Sequence, residues 1–178
     1  MVIREVLWHR GESKMKRSQW IMSSPVGPLH LVASDKGLEG IHWSKQEVPV
    51  TPSLKGSGKE IRILAQAVKQ LEEYFAGKRK TFKVPLELKG TVFQKKVWGE
   101  LLKIPYGKTR AYKDIACGIR NKKAMRAVGT ANGKNPISII VPCHRVIAAD
   151  GTLGGYFGGL QAKRKLLDLE CSAYSKSK

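Results

Sequence analysis

A chain of 178 residues with 33 Lys or Arg against 14 Asp or Glu carries a formal charge of +19, and 42% of it is hydrophobic. This length holds one domain or two small ones, and enough apolar side chains to bury a core, which excludes a disordered chain. No apolar run approaches the roughly 20 residues of a membrane span, and Arg4 and Glu5 interrupt the first ten residues, so neither a membrane nor a secreted protein is expected.

Residues 1–17 form a charged lead without a structural signal. Beta-like runs over 18–23, 29–33 and 38–43 are joined by the turn signals Pro25-Val26-Gly27 and Asp35-Lys36-Gly37, which predicts an antiparallel meander. Residues 47–59, with two prolines and two glycines, read as a loop. Over 59–76 the period changes: Ile61, Leu64, Val68, Leu71 and Phe75 make the stripe of an amphipathic helix, and Gly77 stops it. Residues 78–90 read as an extended linker. This half shows no catalytic constellation and is expected to act as a scaffold.

The second half predicts short helices. Thr91 and Gln94 have capping-box spacing, with Phe93, Val97, Leu101 and Ile104 on one face and Pro105-Tyr106-Gly107 as the stop. Thr109 is expected to cap the next helix, whose apolar face is Ala111, Ile115 and Ala116. A break at 118–121 leads to another helix over 122–132. A helix pair of this form, the second member basic, matches a helix-turn-helix, although many such pairs never touch DNA. In the second helix Ala124, Ala127, Gly129 and Ala131 leave little bulk around Arg126, with Lys123 at its start. Such a face suits a DNA groove wall or, equally, close packing against a neighbouring helix. The fold class expected is therefore α+β over 1–90, a sheet plus a helix, then a mostly helical domain with a helix-turn-helix over 91–178. The charge balance is +7 in residues 1–90 and +12 in 91–178, which favours a nucleic acid partner.

Cys117, Cys143 and Cys171 form no close pairs, which argues against a disulfide framework and for a reducing compartment. No CxxC or HxxxH spacing suggests a metal site, and His30 and His42 are read as structural. The apolar run 137–141 is expected to be a buried extended segment. It leads into Pro142-Cys143-His144-Arg145-Val146. A thiolate is the nucleophilic form of cysteine, and an imidazole within reach can take its proton if a carboxylate steadies the imidazolium. On a straight strand Cys143 and His144 would point to opposite faces, so cooperation requires a turn. A lone cysteine is more often a small buried hydrophobe.

The context is richer than a Cys-His pair. PYGKTRAY, RAVGTANGKNP, VPCHRVI and GTLGGYFGGL, spread over about residues 93–170, together with SSPVGPLHLVASDKGLEGI earlier, resemble the O6-alkylguanine-DNA alkyltransferases. The resemblance implies that Cys143 accepts the alkyl group, His144 is its water-linked base, Glu170 orients that histidine and Asn135 braces the turn before the active segment. It also implies that Arg126 is a finger entering through the minor groove, that Tyr112 rotates a phosphate and protonates the leaving guanine, and that Ala127, Gly129, Ala131 and Lys123 lie against DNA. Pro142, Val146, Gly154, Gly155, Tyr156, Phe157 and Gly158 would shape the pocket of the flipped base. The activity so implied is single-turnover transfer of an alkyl group from O6 of guanine, with O4 of thymine a further substrate of the same chemistry. It needs no cofactor, and the implied setting is a monomer acting on double-stranded DNA in the cytoplasm, away from any membrane.

Departures are Ala111, where the family often carries Ser or Thr, and Phe157, where smaller residues also occur. Three rival classes are distinguishable. Alkyltransferase-like proteins recognise alkylguanine but lack the acceptor cysteine, a Cys-His hydrolase would turn over repeatedly without DNA, and a helix-turn-helix regulator would bind a sequence, usually as a dimer.

Overall fold

A computed structural model describes residues 16–175. The charged lead expected over 1–17 lies outside the described residues except at its end, where Arg17 already belongs to a strand. Three strands, β1 (Arg17–Met22), β2 (Leu29–Ser34) and β3 (Leu38–His42), form the expected antiparallel meander in the order β1-β2-β3. Gly27 (φ 101°) supplies the left-handed residue of the first turn. Leu29, Leu31, Ala33, Leu38 and Ile41 are buried. Helix α1 (Lys59–Phe75) packs against this sheet, and its buried residues include Ile61, Leu64, Val68, Leu71 and Tyr74. Gly77, at φ 71°, ends it and donates its N–H to the Tyr74 carbonyl. The linker that follows pairs its Leu86 with Leu38.

Helix α2 (Val92–Leu101) opens with the expected capping box: Gln94 N–H donates to Thr91 Oγ1 (3.2 Å) and Thr91 N–H to Gln94 Oε1 (2.8 Å). Thr109 does not cap the next helix. Instead β4 (Arg110–Ala111) pairs in parallel with β5 (Val146–Ile147), and Asp114 accepts the Ala111 N–H at the start of α3 (Tyr112–Gly118). Arg120 (φ 57°) makes the break. A 3₁₀ turn, Lys122–Ala124, precedes α4 (Met125–Gly133), which packs on α3 as the second helix of the helix-turn-helix. Helix α5 (Gly159–Ser175) follows the glycine-rich loop 154–158.

The run 137–141 is buried as expected but is not extended. Val141 N–H donates to Ile137 O at 3.0 Å, and Ile139 sits at φ 73°. A β-branched residue in that region is strained by about 1–3 kcal/mol. Asn135 holds the turn from both sides, donating from Nδ2 to Val141 O (2.8 Å) and accepting the Ile137 N–H at Oδ1 (3.1 Å). One buried cluster runs from the sheet through α1 to α2, α4 and Cys143, so both halves share a core.

Candidate active site

The turn at 137–141 feeds directly into residues 142–146. Pro142 (φ −82°, ψ 62°) makes an inverse γ-turn in which Cys143 N–H donates to Val141 O at 2.8 Å. Cys143–Arg145 then forms a 3₁₀ turn. The chain therefore turns where cooperation of Cys143 and His144 requires it. Both side chains are buried, Cys143 at 4% exposure and His144 at 0%.

His144 Nε2 lies 2.8 Å from Glu170 Oε1, which α5 delivers from 26 residues further along the chain. A charged carboxylate accepts, so Nε2 carries the proton and Nδ1 keeps its lone pair. Nδ1 is buried without a protein hydrogen bond. Glu170 is the hub of a wider network. It accepts from Arg145 Nε (2.9 Å) and an Arg145 terminal nitrogen (3.0 Å), from Tyr74 Oη (2.7 Å) and from Gly107 N–H (3.0 Å). Burial alone would raise its pKa, but hydrogen bonding and charge from His144 and Arg145 outweigh it and hold the carboxyl at about 2. Burial lowers the pKa of His144, against the pull of Glu170. Arg145 already balances the carboxylate, so an imidazolium would add an uncompensated buried charge. Burial pushes the Cys143 thiol up, while Asn135 and the Lys163 ammonium pull it the other way without overcoming that. Such a thiol depends on a neighbouring base to ionise.

Tyr112, the first residue of α3, stands between α4 and the loop, its hydroxyl against Gly154 and its ring 3.9 Å from the Cβ position of Gly129. Burial and then the nearby Cys143 raise its phenol pKa. Val146 is buried in β5, and Pro142 is buried beside Cys143. In the loop Tyr156 is partly buried, Gly155 is open, and Phe157 is exposed at 64%.

On α4, Arg126 and Ala127 are exposed, as is Lys123 before it. Ala131 is not on that face. It is 2% exposed, and its carbonyl accepts the Trp98 indole N–H at 2.9 Å. With Val128 it turns inward, because residues three apart share a helix face. Ala131 is thus a packing residue, and the small-residue stripe divides between an outward and an inward side.

Several residues of the site carry no sequence signal of their role. Tyr74 comes from the half expected to be scaffold alone; it lies beside the apolar stripe of α1, and its partner is 96 positions away. Arg145 is adjacent to the motif, but its bonds to Glu170 and to Ile104 O (2.7 Å) are not written in the spacing. Lys163 is fully buried and donates to Val146 O (2.7 Å) and Gly154 O (3.1 Å), tying β5 to the loop. Among the described residues, no group of three or more His, Cys, Asp or Glu is arranged to hold a metal ion, and no helix is long and apolar enough to cross a membrane.

A sheet-and-helix half joined to a helix-turn-helix half, with Cys143 and His144 buried side by side in the chain and His144 paired to Glu170 of the last described helix, defines a thiol-bearing protein of the alkyltransferase fold. Residues 20–88 match the ribonuclease-like domain of 6-O-methylguanine DNA methyltransferase, and residues 92–172 match the DNA binding domain of the same protein. The methylated-DNA–protein-cysteine methyltransferase of Methanosarcina acetivorans is 49% identical over 154 residues, covering 85% of this chain and 97% of its own. That of Mycobacterium tuberculosis is 49% identical over 151 residues, covering 85% and 90%. Crystal structures of the Mycobacterium tuberculosis O6-methylguanine methyltransferase and of the same organism's OGT in complex with DNA superpose with TM-scores of 0.79 and 0.78. Both are 45% identical and cover 88% of this chain and 94% of theirs. The chain belongs to the 6-O-methylguanine DNA methyltransferase family.

Proposed function

We infer that this protein repairs DNA by direct reversal, moving an alkyl group from O6 of guanine onto Cys143. The observation that carries this reading is the buried array itself: a thiol followed in a tight turn by a histidine whose Nε2 is fixed by Glu170 and whose Nδ1 is left able to accept a proton. An O6-alkylated guanine pairs poorly, so extruding it costs less than extruding a normal base. Arg126, exposed at the start of α4, fills the gap from the minor-groove side, while Ala127 permits close approach and Lys123 meets a phosphate. The flipped base then lies among Pro142, Val146, Tyr112 and the 154–158 loop, beside Cys143.

Neutral His144 takes the thiol proton through one water. The thiolate attacks the alkyl carbon in line: the sulfur–carbon bond forms as the carbon–O6 bond breaks, and the bonding pair leaves with the guanine. Tyr112 donates a proton at N3 and recovers one from His144, so the thiol's proton ends on the guanine and the step balances without a cofactor. The thioether product is stable, which makes the protein a co-substrate that acts once. The same reading has a monomer working on duplex DNA in the cytoplasm and a division of the chain near residue 90, supported by the two family matches meeting between 88 and 92. The alkyltransferase-like alternative is disfavoured because Cys143 is present.

Intact mass after mixing with a duplex carrying one O6-methylguanine tests this. One methylene gained per molecule, mapped to the Cys143 peptide and absent in Cys143→Ala, is the expected result. Tight lesion binding without a mass gain would instead make the protein a recognition factor.

A further inference from the structure

The loop carrying Tyr156 is gripped from two sides. On the helical side, the Tyr112 hydroxyl lies so close to Gly154 that a side chain there would collide with it. On the other, the indole of Trp43, just past β3, covers Gly158, where an added Cβ would strike the ring. The same indole meets Tyr156 edge-on, with centroids 5.4 Å apart and planes at 77°. Tyr156 in turn stands edge-on to His144, at 6.4 Å and 78°. Trp43 is itself tethered: its Nε1 donates to Val26 O (3.1 Å) in the β1–β2 turn. Helix α5 reaches the preceding carbonyl of that turn, Pro25 O, through Lys165 Nζ at 3.2 Å.

Four glycines lie between 154 and 159, leaving the loop backbone soft in itself, so its shape is set by what it leans on. On one side that support is a rigid, hydrogen-bonded aromatic from the sheet. We propose that Trp43 is a specificity-determining residue, fixing through Tyr156 and Gly158 the size of the alkyl group admitted beside Cys143. The inference rests on the reading of this loop as the wall of an alkylguanine pocket. Without the indole, Tyr156 and the Gly158 backbone settle outward and the pocket accepts a bulkier group.

The test compares second-order rates of Cys143 alkylation, followed by intact mass, from duplexes carrying one O6-methylguanine or one O6-benzylguanine. Trp43→Ala raises the benzyl-to-methyl rate ratio about tenfold, the scale on which a pocket discriminates small differences in bulk. Trp43→Phe, which keeps an aromatic ring against the loop, moves it the same way by less. Gly158→Ala lowers the ratio in the wild-type background and loses that effect beside Trp43→Ala, because the clash it creates is with the indole. A parallel fall in both rates with the ratio unchanged in both Trp43 variants would overturn the proposal and leave Trp43 a packing residue. No transfer from either duplex by the wild-type protein would overturn the proposed function, and this inference with it.

Discussion

Glu170 must be charged for the site to hold together, since His144, Arg145, Tyr74 and Gly107 all donate to it. Its folded pKa, about 2, lies below its ordinary 4.5, and that of His144 is lowered from 6.5. In both cases the unfolded chain binds the proton first, so stability is full at neutral pH and falls as the solution is acidified. The decline begins below about pH 6.5 through His144 and steepens between about 4.5 and 2 through Glu170, where it reaches on the order of 3 kcal/mol. Urea unfolding at stepped pH should show both slopes, and Glu170→Gln should remove the acidic one while lowering stability at pH 7. At this scale the Cys143–His144 pair is legible from the motif, because the two happen to be adjacent in the chain. Glu170 was legible only by resemblance, and Tyr74 not at all, because a contact across 96 residues leaves no trace in local spacing.

The elements that were legible are those set by their own residues. The meander follows from its turns, α1 from its stripe, and α2 from its cap. Thr91→Ala should therefore cost about 1 kcal/mol by removing the acceptor of the capping box. Thermal melts would register this, with little change in alkyl transfer, because Thr91 is exposed and its cap bonds are to Gln94 alone. The pieces whose local sequence misleads depend on distant partners. The run 137–141 has the composition of a strand, but Asn135 captures both ends of it and bends it. Arg110–Ala111 is strand only because Val146–Ile147 lies beside it. Ala131 looked interchangeable with Ala127, and only the position of Trp98 shows which of them faces inward.

Across the whole molecule, the basic excess behind the charge of +19 makes salt-sensitive DNA binding the expectation, with a slope set by how many phosphates are neutralised. Each phosphate neutralised contributes about 0.9 to the slope of log affinity against log salt. Lys123→Ala should lower that slope by about 1, with no change in preference for the lesion over undamaged duplex, in a fluorescence titration across salt. Composition carries this expectation because charge is additive over the chain. It carries no sign of the shared core, in which the first half contributes Tyr74 to the Glu170 network and buried side chains to the same cluster as Cys143. Glu170 rides on α5, the last of the described elements, 27 positions after the thiol. During synthesis Cys143 and His144 therefore emerge from the ribosome before the carboxylate that pairs with His144, and a nascent chain carries the two without it until α5 docks.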